Sequence, residues 1–220
     1  MGGGITGAVA ASILSQLHQG DGHTDGQHHS GHLIISLYDQ GRRGPGGRAS
    51  HRSVDPASGS VFPDDDNNNK NKDFLSYEFD HGCQFLRADS TEMQALVHDW
   101  LQKGWIAPWH AQVGQLGENS DHAVDFFGIP SRKEPVYIGM GGMHQLVRHI
   151  LKACPPHVVT VHRGTRVSSV QPMVPEENDA TATTEPPKWQ LWGVSGDAAY
   201  HDSKVSDTPI LLETVDAVLF

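Results

Sequence analysis

Gly2-Gly3-Gly4-Ile5-Thr6-Gly7 opens the chain, and its reading decides the fold. Gly2, Gly4 and Gly7 fit the spacing G-x-G-x-x-G. Ala8, Ala10, Ala11, Ile13, Leu14 and Leu17 follow, a small-residue apolar face suited to packing a helix on a sheet. A pyrophosphate is anionic and is well met by backbone N–H groups at a helix N-terminus. In that arrangement Gly2 makes the tight turn and Gly4 lets the backbone approach the phosphates. Gly7 lets helix and strand pack closely. Thr6 adds a hydroxyl donor.

Outward from this turn, Leu33-Ile34-Ile35-Ser36-Leu37-Tyr38-Asp39 is a near-continuous apolar run, the pattern of a strand buried on both faces. It ends in Asp39, where an acid can accept from ribose hydroxyls. The interval from the glycines to that acid exceeds the usual ~20 residues. The low-complexity segment 19–32, rich in Gly, His, Asp and Gln, accounts for the excess. A second turn follows at once, Arg43-Gly44-Pro45-Gly46-Gly47-Arg48. Its two arginines bracket bare backbone and form a cationic fork for phosphate oxygens. Either turn alone is a weak signal. With the acid between them, they point to a dinucleotide laid across the end of a parallel sheet.

The remaining chain alternates helices and strands. Phe79–Phe85 reads as a short strand and turn. A helix starting at Asp89 or Ser90 carries Met93, Leu96, Val97, Trp100 and Leu101 on one face and stops at Gly104. Residues 105–109, 124–127 and 135–138 read as short strands. Gly139-Met140-Gly141-Gly142 leads into a helix with Met143, Leu146, Val147, Ile150 and Leu151, ended by Pro155-Pro156. Residues 158–161, 166–170, 189–192 and 215–220 read as later strands. This order predicts an α/β fold with a Rossmann-like dinucleotide-binding domain on a parallel sheet, plus part of a mixed-sheet second domain. The expected division is a dinucleotide-binding βαβ segment over 1–87, with polar insertions at 19–32 and 56–73. A partial substrate domain covers 88–142, and 143–220 returns to the first domain with a third insertion at 171–187. No strand precedes Gly2 and the chain stops on the apolar run 215–220, so both ends read as cut through a fold.

Composition narrows the function classes. The formal net charge over 220 residues is −10, which disfavours a nucleic-acid or anionic-membrane surface, where a basic patch is expected. Apolar residues make up 37% and mean hydropathy is −0.43, with the polarity concentrated in the three insertions. No run approaches the ~18 apolar residues of a membrane span. The early glycines break any signal-peptide core, so a cytoplasmic setting is the default expectation. The two cysteines, Cys83 and Cys154, cannot build a disulfide framework and read as buried thiols.

The segments G-G-G-I-T-G, L-Y-D-Q-G-R-R-G-P-G-G-R, F-D-H-G-C-Q-F and Y-I-G-M-G-G-M-H-Q-L-V-R-H-I together resemble the flavin-containing amine-oxidase superfamily, and within it the renalase-like group. The later segments R-V-S-S-V, K-W-Q-L and V-D-A-V-L-F fall in that family's order. The resemblance spans nearly all of the chain apart from the insertions, and corresponds to the N-terminal portion of a family member. It implies non-covalent FAD, with Gly2, Gly4, Thr6 and Gly7 on the pyrophosphate and Asp39 on the adenosine ribose. Arg43, Gly47 and Arg48 would line the phosphate and ribityl side. Gln84 and Phe85 would lie by the flavin ring, and the Val167 backbone would face adenine. It further implies oxidation of a carbon next to nitrogen in an amine or a dihydropyridine of the NAD(P)H type, with molecular oxygen as acceptor. No catalytic acid or base is assigned. The alternative is a truncated flavoprotein fragment with no catalysis of its own.

Other chemistry is less well supported by the residues. His23, His28, His29 and His32 cluster with Asp21 and Asp25 but match no fixed zinc spacing, so no metal site is assigned. Trp100 reads as core. Trp105 and Trp109 flank Pro108, and either could line a substrate pocket. His81 and His110 stay open between structural and site roles. No P-loop is present.

Overall fold

A computed structural model describes residues 2–20, 33–41, 44–62, 77–80, 82–110, 135–173, 188–196 and 208–219. These form a mixed α/β structure of small parallel and antiparallel sheets. The chain groups into two compact units. One takes the described residues of Met1–Gly47 and Ile150–Phe220, the other those of Arg48–Asp64 and Asn71–His149.

The first unit is built around a parallel strand pair. Helix α1 spans Ile5–Gly20 and strand β1 spans Ile35–Asp39. Strand β7, Val159–Arg163, lies parallel to β1 with Ile35 opposite Val159 and Asp39 opposite Arg163. The core of this pair holds Ala11, Leu37, Cys154, Val158 and Val159, with Leu33, Ile35, Leu151 and Val161 packed against it. Leu37 is 1% exposed, as expected of a strand covered on both sides. Strands β8 (Thr165–Pro172), β9 (Trp189–Ser195) and β10 (Ile210–Val215) form an antiparallel sheet in the order β10-β9-β8. Glu213 of β10 accepts from Tyr38 Oη at 2.5 Å and from Ser36 Oγ at 3.1 Å, which ties β10 to β1.

The second unit holds two antiparallel sheets, one helix and the first seven residues of another. Strands β2 (His51–Val54), β3 (Val61–Phe62) and β4 (Tyr77–Asp80) run in the order β3-β2-β4. Helix α2, Thr91–Gln102, starts where Ser90 accepts from the Met93 N–H at 3.2 Å, an N-cap bond that satisfies an otherwise orphaned donor. It buries Val97 and Trp100. Strands β5 (Ile106–Pro108) and β6 (Tyr137–Gly139) pair antiparallel. Helix α3, Met143–Ala153, follows, and its apolar residues Met143, Leu146, Val147 and Ile150 are buried.

Several expectations are corrected. The buried stripe of α1 is Ala8, Ala11 and Ser15, while Ile13 and Leu17 are exposed. At 100° per residue, positions 8, 11 and 15 share a face that 13 and 17 do not. The helix also runs three residues beyond Leu17. The polar stretch starting at Pro56 was expected to be loop, yet Val61–Phe62 pairs with Ser53–Val54. Gln171 and Pro172, assigned to the third insertion, belong to β8. The last strand is Ile210–Val215, and residues 216–219 lie outside any strand. The expected strand at 124–127 and the bulk of the three insertions fall outside the described residues. Among the described residues, no helix is long and apolar enough to cross a membrane.

Candidate dinucleotide site

The glycine turn at the head of α1 sits against the carboxyl end of β1. Gly7 lies where helix and strand meet: a Cβ there would come within 2.2 Å of the Gly2 carbonyl oxygen and 3.1 Å of Leu37 Cδ2. No side chain fits, and this is the close-packing role the motif gives its last glycine. The Ala8 N–H donates to Gly4 O at 3.0 Å and closes the first helical turn. Among the described residues, nothing accepts from the N–H groups of Ile5, Thr6 or Gly7. A helix start of this kind directs donors and a positive dipole end outward.

The second glycine turn adjoins the first. Gly47 takes the left-handed φ of +52°, and a Cβ on it would meet Gly4 Cα at 3.2 Å. A Cβ on Gly4 would in turn lie 3.9 Å from Gly46 O. Two stretches of bare backbone therefore lie side by side, with main chain and no side chain at their meeting point. Pro45 and Gly46 are buried and Gly47 is exposed. Gly47 opens a 3₁₀ turn over Gly47–Ala49 whose middle residue, Arg48, is exposed. Arg43 falls outside the described residues.

Asp39 ends β1 and is 6% exposed. Its Oδ1 accepts from the Gly41 N–H at 2.7 Å, and the Gly3 N–H also donates to the carboxylate. Burial pushes the carboxyl above its ordinary value of 3.8; the two N–H donors and the Arg163 charge pull the other way and lose. A carboxylate offers about four acceptor positions, so two backbone bonds leave capacity for ribose hydroxyls. The same two bonds brace the first glycine turn against the loop after β1.

Gly2, Gly4, Thr6, Gly7, Asp39 and Gly47 thus gather at one end of the parallel pair in the first unit. Thr6 is exposed and so is Gly2. Val167 lies in β8, half-buried, opposite Gly193 beside a bulge between Val167 and Ser169. Gln84 and Phe85 belong to the second unit, where Gln84 is exposed and the Phe85 ring lies 6.0 Å from that of Trp109. Trp109 therefore has an aromatic partner, and Trp105 stacks on His149 at 5.4 Å with Lys103 Nζ 4.7 Å from its ring. Trp100 is core. His81 is not among the described residues.

Three residues of the site were not singled out by sequence. Gly3 and Gly41 hold Asp39, and Arg163 stands opposite it in the strand register. The Asp-x-Gly spacing of Asp39 and Gly41 is a signal for a side chain bonding two residues on. Nothing local marks Arg163, because its position depends on a pairing between distant strands.

The residues present fit a bound pyrophosphate on two counts. The two turns meet at Gly4 and Gly47 through main chain alone, and the first-turn N–H groups of α1 suit an anion. Among the described residues there is no group of three or more His, Cys, Asp or Glu that could hold a metal ion. No protein-family model matches the chain, and no curated protein is significantly similar to it.

Proposed function

We propose that this chain carries the dinucleotide-binding part of an FAD-dependent oxidoreductase of the renalase-like amine-oxidase kind, built on a Rossmann-like βαβ framework. The observation that carries the proposal is the adjacency of the two glycine turns, Gly47 against Gly4, at the carboxyl end of β1. The residue likeness to that superfamily supplies the identity of the dinucleotide. In open α/β sheets ligands bind outside the carboxyl ends of the strands, where these turns lie.

In this reading the backbone at Gly2, Gly4 and Gly7 and the hydroxyl of Thr6 hold the pyrophosphate. Gly47 with Arg43 and Arg48 lines its other side. Asp39 takes the ribose with the acceptor capacity that Gly3 and Gly41 leave. Gln84 and Phe85 are assigned to the flavin-ring end, and the Val167 backbone to adenine. FAD, when bound, supplies the capacity to take hydride from a carbon next to nitrogen and to pass electrons to oxygen. The chain's contribution is binding and orientation. The substrate is a small amine or a dihydropyridine.

The test is a visible spectrum of the purified protein after mixing with FAD and desalting. Retained flavin absorption is expected, and Gly47→Val is expected to abolish it. Arg48→Ala should weaken retention about tenfold or more, from loss of a charge-assisted contact of about 1.5–3 kcal/mol. His81→Ala should retain flavin as the parent does. A folded protein that stays colourless with excess FAD sinks the proposal.

A further inference from the structure

Arg163 has no role in the FAD assignment, yet it stands at the same strand edge. It ends β7 directly opposite Asp39, and parallel strands bring their carboxyl ends to the same edge. The two side chains behave differently there. Asp39 is buried and bonded to backbone N–H groups, whereas Arg163 is exposed. The Arg163 charge reaches Asp39 and favours its ionised form against the effect of burial.

The guanidinium plane faces Gly44. A Cβ on Gly44 would lie 3.4 Å from Arg163 Cζ, 3.6 Å from Nε and 3.6 Å from Nη1. Near-equal distances to three atoms of a planar group put that point over its face, not its edge. One face of the guanidinium is therefore backed by Gly44, whose φ of +95° favours glycine. A planar cation with one face backed and exposed surface remaining is a stacking platform for an aromatic ring.

We infer that Arg163 stacks its guanidinium on the adenine ring of the bound dinucleotide. The inference rests on the FAD reading: with the ribose on Asp39, the base attached to it falls at the neighbouring strand end. Arg163 is then a binding residue for the adenosine half and has no part in the flavin half.

The experiment measures dissociation constants for FAD and for FMN, which lacks the adenosine half, on the parent protein, Arg163→Ala and Arg163→Lys. Thermal melting without ligand checks that the variants fold. Arg163→Ala should weaken FAD about five- to thirty-fold, the range of a partly desolvated cation–π contact, and leave FMN unchanged. Arg163→Lys should lose most of the same factor, because lysine keeps the charge without the plane. Full rescue by lysine overturns stacking in favour of a point-charge contact. Unchanged FAD affinity in a folded Arg163→Ala overturns the inference and leaves the FAD reading intact. A folded parent protein that binds no FAD overturns both.

Discussion

Two glycine-rich turns in this chain lead into helices, and their N-terminal donors are satisfied in different ways. At α3, both carboxylate oxygens of Asp80 accept from the Met143 N–H at 3.1 Å, and the turn Gly139–Gly142 packs on itself so tightly that a Cβ at Gly139 would lie 2.5 Å from Gly142 O. At α1, the buried carboxylate of Asp39 bonds Gly3, ahead of the helix, and no acceptor among the described residues meets Ile5, Thr6 or Gly7. The α3 start is closed by the protein's own acid. The α1 start is braced one step short of closure, which leaves its donors to an external anion. A glycine-rich sequence before a helix is common to both; where the nearby acid bonds separates a structural turn from a candidate phosphate site.

The largest effect that tests this contrast comes from steric closure. Gly7→Ala should destabilise the protein by about 3 kcal/mol, at the upper end for overpacking, because its Cβ meets backbone at Gly2. Gly2→Ala, with nothing within 4 Å of its Cβ, should change stability by less than about 0.5 kcal/mol. Urea unfolding separates the two, and a tolerated Gly7→Ala would contradict the close approach of α1 to β1.

Next in size is the acid that closes α3. Asp80→Ala should cost about 1–2 kcal/mol, the range of a lost cap, and should leave FAD affinity unchanged once folded protein is compared. If the loss appears instead as weakened flavin binding, the division between structural and ligand-facing helix starts is wrong.

The pH response of Asp39 is smaller and has a definite sign. Its folded-state value lies above its ordinary 3.8. A carboxyl shifted that way favours the folded state most below its unfolded value, and that contribution is lost as pH rises through the folded value. The parent should therefore gain stability relative to Asp39→Asn as pH falls from 7 toward 4. Denaturation midpoints for the pair across that range give the comparison. A parent that loses ground to the asparagine variant on acidification would mean that the Gly3 and Gly41 donors outweigh burial.

The smallest effect expected is on the surface of α2. Lys103 Nζ lies 2.7 Å from Asp99 Oδ2, with both side chains well exposed. Asp99→Asn should cost no more than about 0.5 kcal/mol, which sets the scale against which the Asp80 result is read.

Much of the framework was legible in the residues. Ser90 and the spacing of Val97 and Trp100 located α2, and the apolar run before Asp39 located β1 with its buried end. The adjacency of Gly4 and Gly47 follows from neither turn alone, though both turns were visible as glycine clusters. Strands β2 and β3 were hidden, and β4 was read only through its end at Phe79–Asp80, for a physical reason. Their residues, such as His51, Arg52, Tyr77 and Glu78, are half-buried or exposed and carry little periodic apolar signal. The run 215–220 misled in the opposite direction: of its described residues only Val215 lies in a strand, paired with Trp189. Ile210 and Leu211 are exposed yet pair with Gly193 and Trp192. Within the site, Arg163 could not be found from spacing, since only the β1–β7 register sets it opposite Asp39.

The central claim is that the turn Gly2–Gly7 and the loop Gly44–Gly47 meet one diphosphate. Amide chemical shifts of the ¹⁵N-labelled protein, followed while FAD is added, test it most directly. Gly4, Thr6, Gly7 and Gly47 should move together along a single saturation curve, while Met143 at the start of α3 stays in place. Movement confined to one of the two glycine turns, or an undisturbed pair at saturating FAD, would contradict the account.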